Sequence, residues 1–397
     1  MDPSSLTALI NWLIDGARSS DQPSQTMSEA CGRLVALGVP LWRAGVFVRT
    51  LHPEIFGRSF VWRQGGEVEI GSVDYGFQDS PTYWDSPLAV VVRQGVAFRA
   101  NPQSPEAERY PILMDLRADG VTDYLALPLI FLDGEVHASS WTTRSPGGFT
   151  EAQAEAIRAV IPALSRYTEI IGLRRIASML LDTYVGNSAG ARILGGQIRR
   201  GHTDTMHAAI WLSDLRGFTP LSDRLPAETV VDILNLYFDC QVEAIRGQGG
   251  EVLKFMGDGL LAVFPIAAQD GDPAEVCSRV LAAARAARSR VHALEYVSGD
   301  ARERFRFGVA LHVGEVLYGN IGGGNRLDFT CIGPAVNLAA RLEKIAGRLG
   351  RTVVASERFA GIHDGGWSDL GEFPIAGFSK AERVYGLFDE APVAAAS

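Results

Sequence analysis

Short hydrophobic runs with alternating polar positions, separated by polar turns, occupy the chain up to about residue 150. RSFVWRQGGEVEI has the alternation and residue types of a strand. YLALPLIFLDGEVHASSWTT predicts a hairpin that turns at Asp133-Gly134. The pattern then becomes helical, with Thr150 as the expected N-cap. The first part of the chain is therefore predicted to be a strand-rich unit that ends in a long helix.

Hydrophobic residues recur along this helix at spacings of 3, 4, 3 and 4, which is the seam of a coiled coil over about two heptads. The seam consists of Ile157, Val160, Leu164, Tyr167 and Ile171. Two interpretations are open. Either the helix packs on its own domain, or it dimerises and links two domains.

A second pattern follows a glycine-rich, polar segment over residues 185–204, which we interpret as a connector. Strand-like and helix-like runs alternate from Ala208 onward. AAIWLSD predicts a strand, TVVDILNLYFDCQVEAIRGQGG an amphipathic helix that ends at glycine, and EVLKFMGDGLLAVFP a strand hairpin. The alternation continues through two more helices and further strands. It predicts an α+β sandwich in which helices cover one side of a single sheet.

Composition restricts the class of protein. A length of 397 residues favours two domains, and 47% hydrophobic with 21% charged residues is an ordinary globular balance. The formal net charge of -9 argues against a nucleic-acid partner.

Four cysteines lie far apart in the sequence, at Cys31, Cys240, Cys277 and Cys331. They fit reduced thiols better than a disulfide framework or a zinc site. The start of the chain lacks the basic region of a signal peptide, and its apolar runs are too short to span a bilayer. We therefore expect a soluble, cytoplasmic protein with no membrane span.

Two aspartates are candidates for chemistry. Asp214 ends the apolar strand AAIWLSD, and Asp258 lies in a turn between Gly257 and Gly259. Two carboxylates at one sheet edge can bind Mg²⁺, which also ligates phosphate. The simpler interpretation of either residue alone is an ordinary turn aspartate.

Two further features can contact phosphate. Leu215-Arg216-Gly217-Phe218-Thr219 precedes a helix, and N–H groups at a helix start attract phosphate. Asn337 and Arg341 are four residues apart and share one helical face. An arginine there can pair with a phosphate that gains charge in a transition state. The alternative is a surface arginine paired with Glu343 or with solvent.

Four motifs occur in order: WLSDLRGFT, EVLKFMGDGLLAVF, HVGEVLYGNIG and DFTCIGPAVNLAARLE. Together they resemble the class III adenylyl and guanylyl cyclase catalytic domain over about residues 205–390. The resemblance implies a ferredoxin-like βαββαβ domain and an active site shared between two catalytic domains.

One partner of that shared site binds metal and triphosphate. The resemblance implies that Asp214 and Asp258, with the backbone carbonyl of Leu215, bind two Mg²⁺ ions per site, for which Mn²⁺ can substitute. The N–H groups of Gly217, Phe218 and Thr219 would hold the triphosphate. These assignments come from the family and not from the spacing alone.

The other partner selects the base and stabilises the transition state. Lys254 and Thr330 match the base-selecting positions, where guanylyl cyclases typically carry Glu and Cys. Asn337 would orient the ribose and Arg341 would stabilise the α-phosphate. Lysine and threonine favour adenine, which implies conversion of ATP to cyclic AMP. A guanylate or mixed-specificity cyclase, and a pseudo-cyclase that binds nucleotide without turnover, remain alternatives.

Each chain carries both halves of this set, so the resemblance implies a homodimer. The sequence departs from the family near the last strand. Ala376 stands where many members have a lysine that contacts the triphosphate, and Lys380 is a candidate replacement. The departure concerns substrate affinity more than reaction type.

The segment PLIFLDGEVHASSWTTRSPGGFTEAQAEAIRAVIPALSRYTEI resembles the end of a GAF domain. Such domains bind small molecules or dimerise, so a small-molecule ligand of the N-terminal domain is an open expectation. The sequence thus predicts a GAF-like α/β regulatory domain at 1–165, a helical linker at 166–204 and a cyclase domain at 205–390, joined by the long helix.

Overall fold

The computed structural model describes residues 2–20, 22–52, 55–267, 269, 271–298, 301–324 and 326–390. The chain divides into two units, Met1–Leu180 and Leu181–Ser397. The mixed helix-and-strand architecture predicted from the sequence is confirmed. The finer domain limits and the GAF-like character of the first unit stay predictions.

The described part of the first unit is built on six antiparallel strands. They are β1 Arg43–Arg49, β2 Gly57–Arg63, β3 Glu69–Val73, β4 Phe98–Ala100, β5 Asp123–Ile130 and β6 Val136–Thr143. Their order in the sheet is β3-β2-β1-β6-β5-β4. The helices are α1 Pro3–Ile14, α2 Pro23–Ala36, α3 Pro81–Trp84, α4 Pro87–Gln94, α5 Pro111–Ala118 and α6 Glu151–Val185, whose last turns extend past Leu180.

Both faces of this first sheet are covered at β5. Neighbouring residues of this strand point to opposite sides of the sheet, and each side packs in a core of its own. Leu125 packs in a core formed with α1, α2 and α6. Tyr124 and Ala126 pack in a second core with α4 and α5. The predicted hairpin is confirmed: β5 and β6 pair across a turn in which Gly134 has φ +87°.

The start of α6 confirms the predicted cap. The Gln153 N–H donates to Thr150 Oγ1 at 3.3 Å, and the Thr150 N–H donates to Gln153 Oε1 at 2.9 Å, which is a capping box. Ile157, Val160 and Leu164 of the predicted seam are buried in the core of their own unit. This part of the helix therefore packs on its own domain.

A different apolar stripe on α6 is exposed. It also has spacings of 3, 4, 3 and 4, and consists of Ile170, Leu173, Ala177, Leu180 and Tyr184. Ile170 and Tyr184 are 65% and 79% exposed. The coiled-coil spacing therefore occurs twice on this helix, first on a buried face and then on an exposed one.

The second unit contains one large sheet and a separate two-stranded pair. The strands are β7 Thr203–Leu215, β8 Glu251–Met256, β9 Gly259–Pro265, β10 Glu295–Ser298, β11 Ala301–Arg304, β12 Phe307–Gly323, β13 Arg326–Ile332, β14 Val353–Ser356, β15 Trp367–Phe373 and β16 Glu382–Leu387. The large sheet has the order β15-β16-β14-β12-β7-β9-β8, with β13 paired to β12, and β10 pairs with β11.

Six helices accompany these strands within the described residues. They are α7 Asn187–Leu194, α8 Phe218–Arg224, α9 Ala227–Gly247, α10 Pro273–Ala293, α11 Pro334–Arg348 and α12 Glu357–Ile362. The helix α7 lies within the segment that the sequence analysis treated as a connector. The strands β7, β8, β9 and β12 with α9 and α10 form a βαββαβ unit whose sheet order is β8-β9-β7-β12.

Helices cover both faces of the large sheet, so the prediction of one covered side was wrong. Ala209 and Trp211 of β7 pack with α9 and α10. Ala208, Ile210 and Leu212 pack with α7 and α11 on the other face. The reason is visible in β7 itself, because a continuous apolar run is typical of a strand buried on both sides.

The helices within the described residues are all too short or too polar to cross a bilayer. All four cysteines are free thiols, as predicted; Cys31, Cys277 and Cys331 are buried and Cys240 is half-buried.

Candidate active site

Asp214 lies at the carboxyl end of β7, in the middle of the large sheet. Its register partners are glycines on both sides, Gly308 of β12 and Gly259 of β9. A Cβ at Gly259 would lie 3.4 Å from Asp214 Oδ1 and 3.1 Å from the Ser213 carbonyl oxygen. The contact with the carboxylate would be an ordinary one, whereas the contact with the Ser213 carbonyl would be tight, so the glycine allows the close approach of β9 to β7.

Asp258 reaches the same place from the turn between β8 and β9. Gly257 begins this turn with φ +67°, which favours glycine. The Asp258 side chain comes within hydrogen-bonding reach of the Asp214 carboxyl group. The structure therefore brings the two predicted metal ligands side by side.

The electrostatic environment of this pair is strongly negative. Burial, followed by the charges of Asp258 and Glu343, raises the pKa of Asp214 to about 7, while Arg216 opposes the shift. Two neighbouring carboxylates repel one another when both are ionised, and a bound cation relieves this repulsion. Their oxygens are the hard ligands that Mg²⁺ prefers, so the donor set fits the predicted metal.

The loop after Asp214 turns sharply into α8. Gly217 has φ +74°, a left-handed conformation, and Phe218 begins the helix. Because the first N–H groups of a helix have no intrahelical acceptor, those near Phe218 and Thr219 are available to an anion. The Arg216 N–H donates to the Arg306 carbonyl at 2.8 Å, which fixes the loop to the start of β12.

The two predicted base-selecting residues lie on different strands. Lys254 of β8 is half-buried and pairs with Leu261, directly after a register shift in the strand. Thr330 of β13 is buried, and its Oγ1 has no hydrogen-bond partner among the described residues. A buried hydroxyl without a partner calls for an acceptor or donor from a ligand or water.

The cysteine that follows Thr330 on β13 lies within the electrostatic range of Lys254. Cys331 packs in the core between the sheet, α7 and α11. Burial raises the pKa of the Cys331 thiol to about 12, and Lys254 partly opposes this shift. Lys254 is therefore close enough to β13 to act on it electrostatically.

Asn337 and Arg341 lie one turn apart on α11, which follows β13 directly, and both are exposed. Leu338 and Leu342 of the same helix pack against the sheet, which directs the polar pair outward. No ion pair of Arg341 occurs within the part of the chain that the structure describes. The alternative in which Arg341 pairs with Glu343 is not observed, because Glu343 pairs with Arg216.

These residues form two groups on one chain. No hydrogen bond or ion pair between described residues joins Asn337 or Arg341 to the aspartate pair. Ala376 and Lys380 are both exposed in the loop between β15 and β16.

Sequence reasoning did not assign a role to the ion pair of Arg216 and Glu343. Arg216 Nη1 lies 2.6 Å from Glu343 Oε1, and the Glu343 side chain is only 6% exposed. One sequence signal was present: Glu343 follows Leu342 on a helix whose neighbouring positions are apolar, so its carboxylate requires a partner.

The second unit is similar in sequence to known cyclase domains. Residues 202–368 match the family described as the Adenylate and Guanylate cyclase catalytic domain. Adenylate cyclase 1 of Rhizobium meliloti is 32% identical over 144 residues, which is 36% of this chain and 21% of that protein. The terminal-differentiation specific adenylate cyclase of Dictyostelium discoideum is 31% identical over 138 residues, 34% of this chain and 6% of that protein.

Among solved structures, the adenylyl cyclase CyaB from P. aeruginosa is 26% identical with a TM-score of 0.40. The match covers 48% of this chain and 97% of that one. The chain spans less than a quarter of the length of the two curated relatives named above.

Proposed function

We propose that the chain is an adenylate cyclase, because residues 202–368 match the family described as the Adenylate and Guanylate cyclase catalytic domain. It converts ATP to 3′,5′-cyclic AMP and pyrophosphate at sites shared by two copies of the chain, under control of its N-terminal unit. The observation that carries the proposal is the pair Asp214 and Asp258, whose mutual repulsion a divalent cation would relieve.

The first half of the proposed site binds metal and triphosphate. Asp214, Asp258 and the Leu215 carbonyl would hold two Mg²⁺ ions, or Mn²⁺ in their place; bound metal supplies Lewis-acid activation of the ribose 3′-OH and neutralises the leaving pyrophosphate. The N–H groups of Gly217, Phe218 and Thr219 donate to the triphosphate oxygens at the start of α8. The open space around Gly217 supports close approach of a phosphate.

The second half reads the base and stabilises the transition state. The Lys254 ammonium donates to adenine N1, and Thr330 Oγ1 accepts from the N6 amino group. The unpartnered Thr330 hydroxyl supports this role. Asn337 orients the ribose, and Arg341 pairs with the α-phosphate as its charge grows, a contact of the kind that contributes about 10²–10³ in rate.

Two observations support a homodimer. Asn337 and Arg341 face solvent, as residues that serve a partner's substrate would. The exposed stripe of α6 has the spacing of a coiled-coil seam, and a second copy of the same stripe would bury it. An isologous interface would complete two equal sites.

Mutation of the stripe tests this support. Ile170→Glu should shift the chain toward monomer in analytical ultracentrifugation and reduce activity in proportion. The control is Thr183→Glu, on the same exposed segment of α6 but outside the stripe. A variant that stays dimeric and active would exclude the stripe as a dimer contact.

One assay separates the candidate activities. Purified chain is incubated with ATP or GTP and with Mg²⁺ or Mn²⁺, and the cyclic product is measured. Cyclic AMP as the main product supports the proposal, and cyclic GMP or equal yields would support the guanylate or mixed-specificity cyclase. Nucleotide binding without product at any protein concentration would indicate a pseudo-cyclase.

Complementation tests the shared site directly. Asp214→Ala and Arg341→Ala should each be inactive alone, whereas their mixture should recover about a quarter of the activity, because one intact site forms in mixed dimers. Arg348→Ala, an exposed arginine two turns further along α11, is the matched control and should remain active. A mixture that stays inactive would refute the shared site.

The N-terminal unit offers a place for a regulatory ligand. A cavity of about 470 Å³ lies between strands β1, β2 and β6 on one side and helices α2 and α6 on the other. Its walls are mainly apolar, with Val46, Phe60 and Leu164 among them. This volume is typical of small-molecule sites.

Acidic and basic side chains both line this cavity: Asp133, Glu135 and Glu169 lie there, and Glu135 and Glu169 are paired with Arg49 and Arg166. The arginines that remain favour an apolar acid. Arg58 and Arg175 line it, repel one another electrostatically, and have no ion pair among the described residues. Decanoate should therefore bind in titration calorimetry more tightly than decanol. Val46→Trp should abolish binding, and Arg58→Gln should remove the preference for the acid. Equal binding of acid and alcohol would exclude this ligand class.

A further inference from the structure

We propose that Arg216 and Glu343 form a positioning pair that couples the two half-sites carried by one chain. The inference rests on the proposed shared active site. Neither side chain contacts substrate in this proposal. Their role is to fix the position of the loop that follows Asp214 relative to α11, the helix that carries Arg341.

The contact is short and largely buried. Arg216 Nη1 lies 2.6 Å from Glu343 Oε1, an ion pair outside hydrogen-bond geometry, and Nη2 donates to the Glu343 backbone carbonyl at 3.2 Å. The Glu343 side chain is 6% exposed and that of Arg216 is 26% exposed. The guanidinium thus contacts both the side chain and the main chain of α11, whereas many surface ion pairs are single mobile contacts.

The surrounding backbone leaves a slot for the guanidinium. A Cβ at Gly308 of β12 would overlap Arg216 Nη2 and Cζ, and a Cβ at Gly347 of α11 would lie 2.7 Å from Nη1. Two glycines on different elements therefore leave the space that the planar Arg216 guanidinium occupies. Gly308 is also the register partner of Asp214, so the slot lies beside the aspartate pair.

Each partner of this ion pair lies next to residues of a different proposed half-site. Arg216 lies between Leu215, whose carbonyl is proposed as a metal ligand, and Gly217, whose N–H is proposed to hold phosphate. Glu343 is two residues beyond Arg341 on α11. In the shared site, the loop of one chain serves one active site while its α11 serves the other. The pair therefore connects the metal-binding half of one site to the phosphate-stabilising half of the second.

Buried charge makes this connection stiff. Removing one partner of a buried pair leaves an uncompensated charge, so the two elements have a strong preference for staying in contact. A displacement near 1 Å in a positioning element can reduce the rate about 10²-fold. A pair that served stability alone would affect melting temperature but not the two half-sites separately.

The complementing mixture distinguishes these roles. Its single intact site takes the aspartates from the Arg341→Ala chain and the arginine from the Asp214→Ala chain. Glu343→Gln in the Arg341→Ala chain should raise the Mg²⁺ concentration for half-maximal activity, by about 5-fold, with little change in kcat. Glu343→Gln in the Asp214→Ala chain should lower kcat about 10-fold, with the Mg²⁺ requirement unchanged.

Two further variants keep the test decisive. Glu372→Gln breaks an exposed ion pair with Arg383 in the same unit and should change neither parameter in either chain. Gly347→Ala should displace the guanidinium while both charged residues stay in the chain, so it should reproduce the losses. It replaces Glu343→Gln if that variant does not fold.

Each outcome has one meaning. Losses that follow the chain carrying the substitution, as described, support the coupling. Equal losses from either placement, or no loss beyond 2-fold, overturn it while the shared site stands. A parent mixture that recovers no activity overturns the proposed shared site, and the coupling with it.

Discussion

Replacing Asp258 by asparagine should stabilise the metal-free protein while it abolishes cyclase activity. In the folded, metal-free protein the pKa of Asp214 is raised from 3.8 to about 7, which disfavours its ionised form. Burial is the largest cause and remains in the variant. The charge of Asp258 is the second, and after allowance for solvent screening we assign it about 1 kcal/mol. For a unit of this size, that raises the melting temperature by about 2–4 °C.

The pH dependence follows from the direction of the shift. A carboxyl whose pKa is raised in the folded state loses stability as pH rises from its unfolded pKa toward the folded one. At pH 8 Asp214 is ionised and the repulsion acts fully, whereas at pH 5.5 it is protonated in the folded protein and the repulsion is absent. The advantage of Asp258→Asn should therefore be present at pH 8 and absent at pH 5.5.

Differential scanning fluorimetry in EDTA measures this difference, followed by the same scans in Mg²⁺. The wild type should gain more from Mg²⁺ at pH 8 than the variant, because only the wild type retains both carboxylates. Asp223→Asn, an exposed residue of α8, controls for loss of an acidic group. The reasoning would be refuted if Asp258→Asn melts at or below the wild-type temperature in EDTA at pH 8. It would also be refuted if the advantage of the variant over the wild type in EDTA is the same at pH 5.5 and pH 8.

Three further predictions concern specificity, affinity and stability. Lys254→Glu combined with Thr330→Cys should invert the ratio of cyclic AMP to cyclic GMP formed, because the exchanged groups match guanine; an unchanged ratio in product assays contradicts the base assignment. Ala376→Lys should lower the KM for ATP about 3–10-fold with kcat nearly constant, since it adds a uniform phosphate contact; steady-state kinetics decide, and a change in kcat alone opposes it. Arg99→Ala should destabilise the N-terminal unit by about 3–5 kcal/mol in urea unfolding, because it leaves the buried Asp123 carboxylate, 2.7 Å away, without its charged partner; a loss below about 1 kcal/mol would show that the carboxylate is not dependent on this partner.

Local patterns predicted most elements but not which face each presents. The spacing of Ile157, Val160 and Leu164 is equally suited to a dimer seam and to a helix on its own domain. The decision depends on the sheet residues opposite, such as Leu125 and Trp141, which lie in the same core. Periodicity identifies an apolar face without identifying its partner.

The aspartate pair was within reach of sequence reasoning, because Asp214 ends an apolar strand and Asp258 lies in a glycine turn of the adjoining hairpin. The ion pair of Arg216 with Glu343 was not. These residues are 127 positions apart, and nothing in their neighbouring sequence specifies the contact. It arises only when β12 and α11 are assembled around the loop.

Glycines at defined strand positions explain how a sheet buried on both faces can accommodate so much charge. Asp214 lies on a central strand, where polar groups are costly unless they have partners. Gly259 on one side allows close approach to the Ser213 carbonyl, and Gly308 on the other leaves space for the Arg216 guanidinium. The side chains omitted at these two positions therefore shape the site as much as the acidic and basic residues do. It follows that Gly308→Ala, although it adds one methyl group, should reduce the proposed cyclase activity through Arg216 more than Asp223→Asn does through loss of a charge.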